Sequence, residues 1–177
     1  TAYLSRGYKR LTRGFRIADE KSNASTIGDE AFQIKLKFPN VTVAVDSNRH
    51  NALRKLHNSK NPPKVVVLDD AYQHRSLHPD LNILLIDFNR LTYQDNMLPL
   101  GELREPSDNT DRADIIIFTK CPSTIMPVDM LSTRTQIRPF PYQTLYYTTL
   151  TYEEPKGVFT DKKLELYGKE IILLTGI

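Results

Sequence analysis

The sequence predicts an α/β protein with a doubly wound, mostly parallel sheet that is followed by an extended β ribbon. Two observations support this fold class. Apolar runs of strand length alternate with helical stretches along the chain, which is the pattern of a parallel sheet with crossover helices. One of these runs, Val65–Leu68, has four consecutive apolar residues, which is typical of a strand that is covered on both faces.

The prolines between these runs set the limits of the predicted elements. Asn61-Pro62-Pro63 ends a helix and introduces the strand that finishes at Leu68. Pro139 and Pro141 mark a boundary before a segment rich in Tyr and Thr, so we expect a core over residues 1–138, and a β ribbon linker with the start of another lobe over 139–177. The expected strands lie near residues 2–7, 41–46, 64–69, 81–87, 113–119 and 170–175, the helices near 29–37, 48–58 and 128–136, and the ribbon near 144–153.

The most informative motif lies where the strand at Leu68 ends. Asp69 and Asp70 follow this strand directly, and Gln73 and His74 come a few residues later. In open α/β sheets, ligands bind just beyond the carboxyl ends of the strands. Adjacent carboxylates suit Mg²⁺, which proteins commonly hold with one or two carboxylates and substrate phosphates. The motif predicts phosphoryl transfer, with a capping Asp69 and a solvated Asp70 as the structural alternative.

Two other segments carry polar groups whose function the residues alone leave open. Gly28 permits a positive φ, and Asp29 follows it in the first turn of a predicted helix, where a carboxylate is also ordinary capping chemistry. Arg104 lies in a loop that contains two prolines and a glycine. Its guanidinium suits a phosphate or a carboxylate, and a structural salt bridge to a neighbouring acid is the alternative.

These segments occur in an order that resembles the tetraacyldisaccharide 4'-kinase family of lipid A biosynthesis. Members of that family carry, in sequence, SRGY, GDEP, an arginine after the next strand, DDGFQH and LLPAGPLREP. Each motif is weak alone, and the ordered set is specific. The corresponding residues here are Ser5-Arg6-Gly7-Tyr8, Gly28-Asp29-Glu30-Ala31, Arg49, Asp69-Asp70-Ala71-Tyr72-Gln73-His74 and Met97-Leu98-Pro99-Leu100-Gly101-Glu102-Leu103-Arg104-Glu105-Pro106.

The resemblance implies a P-loop-kinase-like fold and a role for each matching residue. Asp29 would be the catalytic base that accepts the proton of the sugar hydroxyl. Asp69 and Asp70 would occupy a Walker-B-like position that holds or orients Mg²⁺. The remaining candidates are Glu102 and Glu105 at the metal, and Arg6, Arg49, Gln73, His74 and Arg104 at the substrate or its phosphates.

The resemblance also implies a reaction and a location. The parent protein would transfer the γ-phosphate of ATP to the 4'-hydroxyl of tetraacyldisaccharide 1-phosphate, giving lipid IVA, and would lie peripherally on the cytoplasmic face of the inner membrane. The 177 residues contain no G-x-x-x-x-G-K-[ST] loop, which the family places before SRGY. We therefore expect an internal fragment that is inactive alone. The alternative is a nonenzymatic α/β module that binds an anionic ligand or partner.

Charge and composition restrict the classes of partner. The net charge is +3, and five basic residues precede the first acid, Asp19. This basic segment fits an anionic membrane surface, with a solvated loop or a nucleic-acid patch as alternatives. The segment lacks the aromatic interleaving and the motifs of nucleic-acid binders, so we expect no nucleic-acid partner. The basic residues are Arg6, Lys9, Arg10, Arg13 and Arg16.

Overall fold

The structure is a computed structural model that describes residues 1–91, 99–101, 107–154, 167, 168, 170 and 172. The chain forms two compact units, Thr1–Asn82 and Ile83–Ile177. In chain order the elements are β1 (Ala2–Ser5), β2 (Arg16–Ile17), α1 (Ala24–Ile27), α2 (Asp29–Lys37), β3 (Thr42–Val45), α3 (Arg49–His57), β4 (Val66–Leu68), β5 (Ile83–Asp87), a 3-10 helix (Ser107–Arg112), β6 (Ile115–Thr119), α4 (Pro127–Ile137) and β7 (Thr144–Tyr147).

The first unit contains a sheet with the strand order β2-β3-β1-β4. Strands β1, β3 and β4 are parallel, and the two-residue strand β2 pairs antiparallel with β3 at the edge. Leu4 of β1 lies between Ala44 of β3 and Leu68 of β4 in the register. The carboxyl ends of the three parallel strands therefore meet at one edge of the sheet.

Side chains of β3 point alternately to the two faces of this sheet, and helix covers each face at this strand. Ala44 packs in one core cluster with Ala52 and Leu56 of α3. Val43 and Val45 pack in another cluster, to which α1 and α2 contribute Ile27 and Ala31. Because a strand alternates its side chains, these two clusters place α3 on one face and the earlier helices on the other. The first unit is therefore doubly wound.

Local sequence explains where the helices of the first unit begin. The Asn48 side chain accepts a hydrogen bond from the Asn51 amide and caps α3. Asn23 and Thr26 form a reciprocal capping box on the single turn α1. Helix α2 begins after Gly28, which provides no side-chain cap, and carries Asp29 and Glu30 in its first turn, where carboxylates interact favourably with the helix dipole.

The second unit contains a parallel sheet with the order β5-β6-β7. Ile116 and Phe118 of β6 are buried, and the Phe118 ring stacks on Tyr147 of β7 with centroids 4.9 Å apart. The Tyr147 hydroxyl lies 2.8 Å from the Thr133 hydroxyl of α4. Cys121, which follows β6, is buried, and this burial raises the pKa of its thiol.

The observed elements confirm the predicted α/β class with parallel sheets. The expected burial of the Val65–Leu68 strand on both faces was wrong, because β4 is the edge strand of its sheet and Val67 is 51% exposed. The extended backbone expected from residue 144 includes β7, which lies beside β6 within a sheet. The sequence did not predict the short elements α1 and β2. The strand expected near 170–175 lies largely outside the described residues, and the division expected at residue 138 stays a prediction.

Gly28 joins α1 to α2 and contacts the loop that follows β1. Its φ is +91°, and a Cβ at this position would lie 3.0 Å from the Tyr8 carbonyl oxygen and 3.1 Å from the backbone of Gly7. At φ +91° and ψ +153° the backbone lies in a region that essentially only glycine adopts and that costs another residue about 1–3 kcal/mol, and backbone atoms cannot move aside as a flexible side chain can. This close approach fixes the start of α2 against the β1 loop.

We expect Gly28→Ala to lower the free energy of unfolding by more than the roughly 1–3 kcal/mol that this backbone conformation costs alanine, because the Cβ also meets backbone. The measurement is urea denaturation followed by circular dichroism. Gly14→Ala is the matched control, since Gly14 has a φ of +72° and a Cβ there would meet nothing within 4 Å. Equal losses in the two variants would show that the close approach has no energetic effect.

Candidate functional site

The candidate site lies at the edge where the parallel strands of the first unit end. Beyond β3 and β4, the sheet hydrogen bonding continues for one more residue on each side of β1. The Asp46 amide donates to the Ser5 carbonyl at 3.1 Å, and the Asp69 amide donates to the Leu4 carbonyl at 3.0 Å. Asp46 and Asp69 therefore flank the end of β1.

Arg49 connects the segments that follow these two outer strands. It is the first residue of α3 and is 3% exposed. Its Nη1 donates to the Asp46 carbonyl oxygen at 2.7 Å, and its Nη2 donates to the Asp69 carbonyl oxygen at 3.0 Å. One planar guanidinium thus holds both segments at fixed positions.

The Arg49 guanidinium is a buried cation. Burial lowers the pKa of Arg49, Asp69 and Asp70 oppose this effect, and Arg6 adds to it. The group stays protonated in proteins all the same. Its Nε is buried and has no hydrogen-bond partner among the described residues. The guanidinium is therefore a positive charge whose two hydrogen-bond acceptors are neutral carbonyls.

Asp46 holds both Arg49 and the start of α3 through hydrogen bonds. It is 2% exposed, and its carboxylate accepts hydrogen bonds from the Asn48 amide at 3.1 Å and from Asn51 Nδ2 at 2.7 Å. Its carbonyl oxygen simultaneously accepts from Arg49. The carboxylate and carbonyl of Asp46 thus fix both the first turn of α3 and the arginine that the turn carries.

The two carboxylates after β4 differ in their surroundings. Asp69 is partly buried, and its Oδ2 accepts a hydrogen bond from the Tyr3 hydroxyl at 2.7 Å. Burial raises the pKa of Tyr3, and the hydrogen bond to Asp69 raises it further, so the phenol remains a donor at neutral pH. Asp70 is exposed and has a φ of +45°.

The donor chemistry of Asp69 and Asp70 fits Mg²⁺, which binds carboxylate oxygens and keeps several other ligands. Tyr3 engages only one oxygen of Asp69, and Asp70 is accessible. No three His, Cys, Asp or Glu side chains are grouped to hold a metal within the described part of the chain. A metal at these two carboxylates would take its other ligands from water, from substrate oxygens, or from the predicted ligands Glu102 and Glu105, which lie outside the described residues.

Asp29 lines a separate small cavity of about 100 Å³. Ser5 and Gly7 also line it, and the Gly7 amide donates to Ser5 Oγ at 3.1 Å. Asp29 is exposed, so its carboxylate can reach a bound molecule. The turn after β1 and the first turn of α2 form this cavity together.

The other predicted site residues are dispersed. Arg6 and Gln73 are exposed, whereas His74 is partly buried and lines a cavity of about 310 Å³ together with Arg49. Three candidates, Glu102, Arg104 and Glu105, lie outside the described residues. His74 and Arg49 thus line the same cavity, and the roles of all these residues stay predictions.

Sequence reasoning missed Asp46 and Tyr3. Asp46 ends a predicted strand as Asp69 does, so the same pattern of an acid at a strand end could have found it. Tyr3 carries no comparable signal, because a tyrosine within a strand is ordinary.

Three comparisons with known proteins agree with one another. The family model described as Tetraacyldisaccharide-1-P 4'-kinase matches residues 1–177. The chain is 46% identical to the tetraacyldisaccharide 4'-kinase of Phocaeicola vulgatus over 99% of this chain and 50% of that protein. It is 47% identical to the protein of the same name from Parabacteroides distasonis, with the same two coverages. The chain spans about half the length of these curated relatives.

A solved structure is also similar. The crystal structure of the "apo" form of LpxK from Aquifex aeolicus in complex with ATP matches with a TM-score of 0.58 and 39% identity, over 66% of this chain and 38% of that one. This similarity supports the α/β fold class. Because the family model matches every residue and the relatives match nearly all of them, the chain belongs to the tetraacyldisaccharide-1-P 4'-kinase family.

Proposed function

We propose that the whole protein transfers the γ-phosphate of ATP to the 4'-hydroxyl of tetraacyldisaccharide 1-phosphate, giving lipid IVA. The observation that carries this proposal is the pair of hydrogen bonds from Arg49 to the carbonyls of Asp46 and Asp69. These bonds put a buried cation beside the two adjacent carboxylates after β4. Phosphoryl transfer depends mainly on positioning and charge stabilisation, and such an arrangement can supply both.

Asp29 is the general base in this proposal. Its carboxylate is exposed on the cavity that Ser5 and Gly7 also line, where an acceptor hydroxyl could reach it. Gly28 fixes the first turn of α2 by its close approach to Gly7 and Tyr8, so the base sits on a constrained element. Because the base is already held in position, less conformational entropy is lost when it aligns with the acceptor hydroxyl.

Asp69 and Asp70 hold Mg²⁺ in this proposal. When bound, the metal would neutralise charge on the phosphates of ATP. Tyr3 fixes the orientation of the Asp69 carboxylate through its 2.7 Å hydrogen bond, as residues behind metal ligands often do. Arg6, Arg49, Gln73 and His74 contact phosphate or substrate, and Glu102, Arg104 and Glu105 are expected to join the site from the segment outside the described residues.

The loop after β1 is the part of the first unit that faces an anionic membrane surface in this proposal. Arg6, Lys9 and Arg13 are exposed, and Tyr8 and Leu11 between them are 69% and 84% exposed. Exposed apolar and basic side chains together suit a lipid surface, where each basic residue contributes about 1 kcal/mol. We place the whole protein peripherally on the cytoplasmic face of the inner membrane.

In the described part of the chain, no helix is long and apolar enough to cross a membrane. Arg10 differs from its basic neighbours, because it is partly buried and donates through Nη2 to the Gly14 carbonyl at 2.7 Å. Arg10 therefore shapes the loop, while the other basic side chains remain accessible.

We expect the 177 residues alone to be inactive. They contain no glycine-rich phosphate loop, whose amides and lysine neutralise the β- and γ-phosphates in this class of kinase. A nonenzymatic module that binds an anion would use the same sheet edge. The effect of replacing the base on turnover distinguishes the two functions.

We expect Asp29→Asn in the full-length protein to lower kcat by about 10²–10⁴-fold, because an amide cannot accept the proton, and to leave the KM for ATP nearly unchanged. The measurement is steady-state transfer of labelled phosphate to the disaccharide. Asp80→Asn, which replaces an exposed aspartate of the same unit, is the matched control and should retain full turnover. Normal turnover by Asp29→Asn would remove Asp29 from catalysis.

We expect Tyr3→Phe to raise the Mg²⁺ concentration for half-maximal activity by about tenfold, because Asp69 loses the donor that orients it. The measurement is activity of the full-length protein against Mg²⁺ concentration. Tyr147→Phe is the control, since it removes a phenol that donates to the Met130 carbonyl in the second unit. An unchanged Mg²⁺ dependence in Tyr3→Phe would contradict the positioning role.

A further inference from the structure

A polar cavity of about 310 Å³ lies at the start of α3. Its polar lining combines two imidazoles, two hydroxyls, a carboxamide and the buried guanidinium described above, and no carboxylate lines it within the described part of the chain. We propose that this cavity is a binding subsite for a terminal phosphate group, and that His50 and Ser76 are ligands of that phosphate. The polar lining residues are Ser47, Asn48, Arg49, His50, His74 and Ser76.

The donor groups of the cavity match a tetrahedral oxyanion. Imidazole N–H and hydroxyl groups donate hydrogen bonds to phosphate oxygens, and lining carboxylates, which would repel them, are absent from the described residues. Helix α3 begins at this cavity. Asn48 caps the Asn51 amide, whereas the amides of Arg49 and His50 have no acceptor within the helix. Such free amides bind anions at helix starts.

Arg49 provides the second, independent argument. It lines the cavity, is 97% buried, and has an Nε without a partner among the described residues. Its two bonded nitrogens donate to carbonyl oxygens and not to carboxylates. Asp69 and Asp70 attract this buried cation through space, and a dianionic ligand nearby would add to that stabilisation. The charge of Arg49 is thus available to a phosphate.

The cavity also has a preformed wall. His50 Nε2 lies 3.1 Å from Ser76 Oγ, which joins the first turn of α3 to a segment 26 residues later. That segment carries His74 on the same cavity. Because this hydrogen bond already holds the two segments together, ligand binding would cost little conformational entropy.

The inference rests on the proposed function, since both substrates of that reaction carry a terminal phosphate group, a monoester in the acceptor and an anhydride in ATP. One is the 1-phosphate of the acceptor, which the reaction leaves unchanged. The other is the terminal phosphate of ATP. Both present the same charged oxygens to the cavity, so the kinetic constants of each substrate must be measured separately.

The binding experiment uses inorganic phosphate and the full-length protein with ¹³C-labelled histidine. We expect phosphate to shift the ring signals of His50 and His74 and to leave that of His57, an exposed residue at the far end of α3, unchanged. His50→Gln and, separately, Ser76→Ala should each weaken phosphate binding about tenfold, as expected for one hydrogen bond to a charged group. His57→Gln is the matched control. Circular dichroism verifies that each variant is folded.

The kinetic experiment assigns the source of the phosphate. The KM of each substrate is measured in His50→Gln and Ser76→Ala. A rise of about tenfold in the KM for the disaccharide 1-phosphate in these variants, at constant kcat and constant KM for ATP, would assign the cavity to the acceptor. A rise in the KM for ATP alone would assign it to the nucleotide. Unshifted His50 and His74 signals at saturating phosphate would overturn the proposal. This binding test needs no turnover, so its failure is distinguishable from failure of the proposed reaction.

Discussion

The bridge that Arg49 makes between two backbone carbonyls is the interaction on which the rest of the candidate site depends. A buried guanidinium costs several kcal/mol unless its donors are satisfied. Two of its nitrogens are satisfied by the carbonyls of Asp46 and Asp69, and these residues follow strands that are not neighbours in the sheet. The arginine therefore couples the loops on either side of β1. Their positions, and those of the carboxylates they carry, are set together.

The remaining contacts extend this coupling in two directions. On one side, the Asp46 carboxylate fixes the first turn of α3, which opens on the cavity that His74 also lines. On the other side, Tyr3 fixes the carboxylate of Asp69. Asp29 is held at the same sheet edge by a different contact, because Gly28 before it packs closely against the loop after β1. The site is thus assembled from loops that the strands hold in register.

Much of the fold follows from local patterns, and the site follows only in part. The apolar run before Asp69 and the prolines around it predicted β4 and the position of the paired carboxylates, because both depend on short-range patterns. The importance of Arg49 came from a resemblance to a family, since one arginine near a helix start carries no signal of its own. The contacts of Tyr3 with Asp69 and of His50 with Ser76 join residues 66 and 26 positions apart, and pattern reasoning does not predict such pairs.

The most direct test of this account replaces Arg49 by lysine in the full-length protein and measures kcat/KM for phosphoryl transfer. Lysine keeps the charge but lacks the planar fork that reaches two carbonyls at once. If the bridge positions the site, Arg49→Lys should lower kcat/KM on the order of 10²-fold, while Arg54→Lys on the exposed part of α3 should leave it unchanged. Activity of Arg49→Lys equal to that of the unmodified protein would show that positive charge alone suffices and would contradict the account.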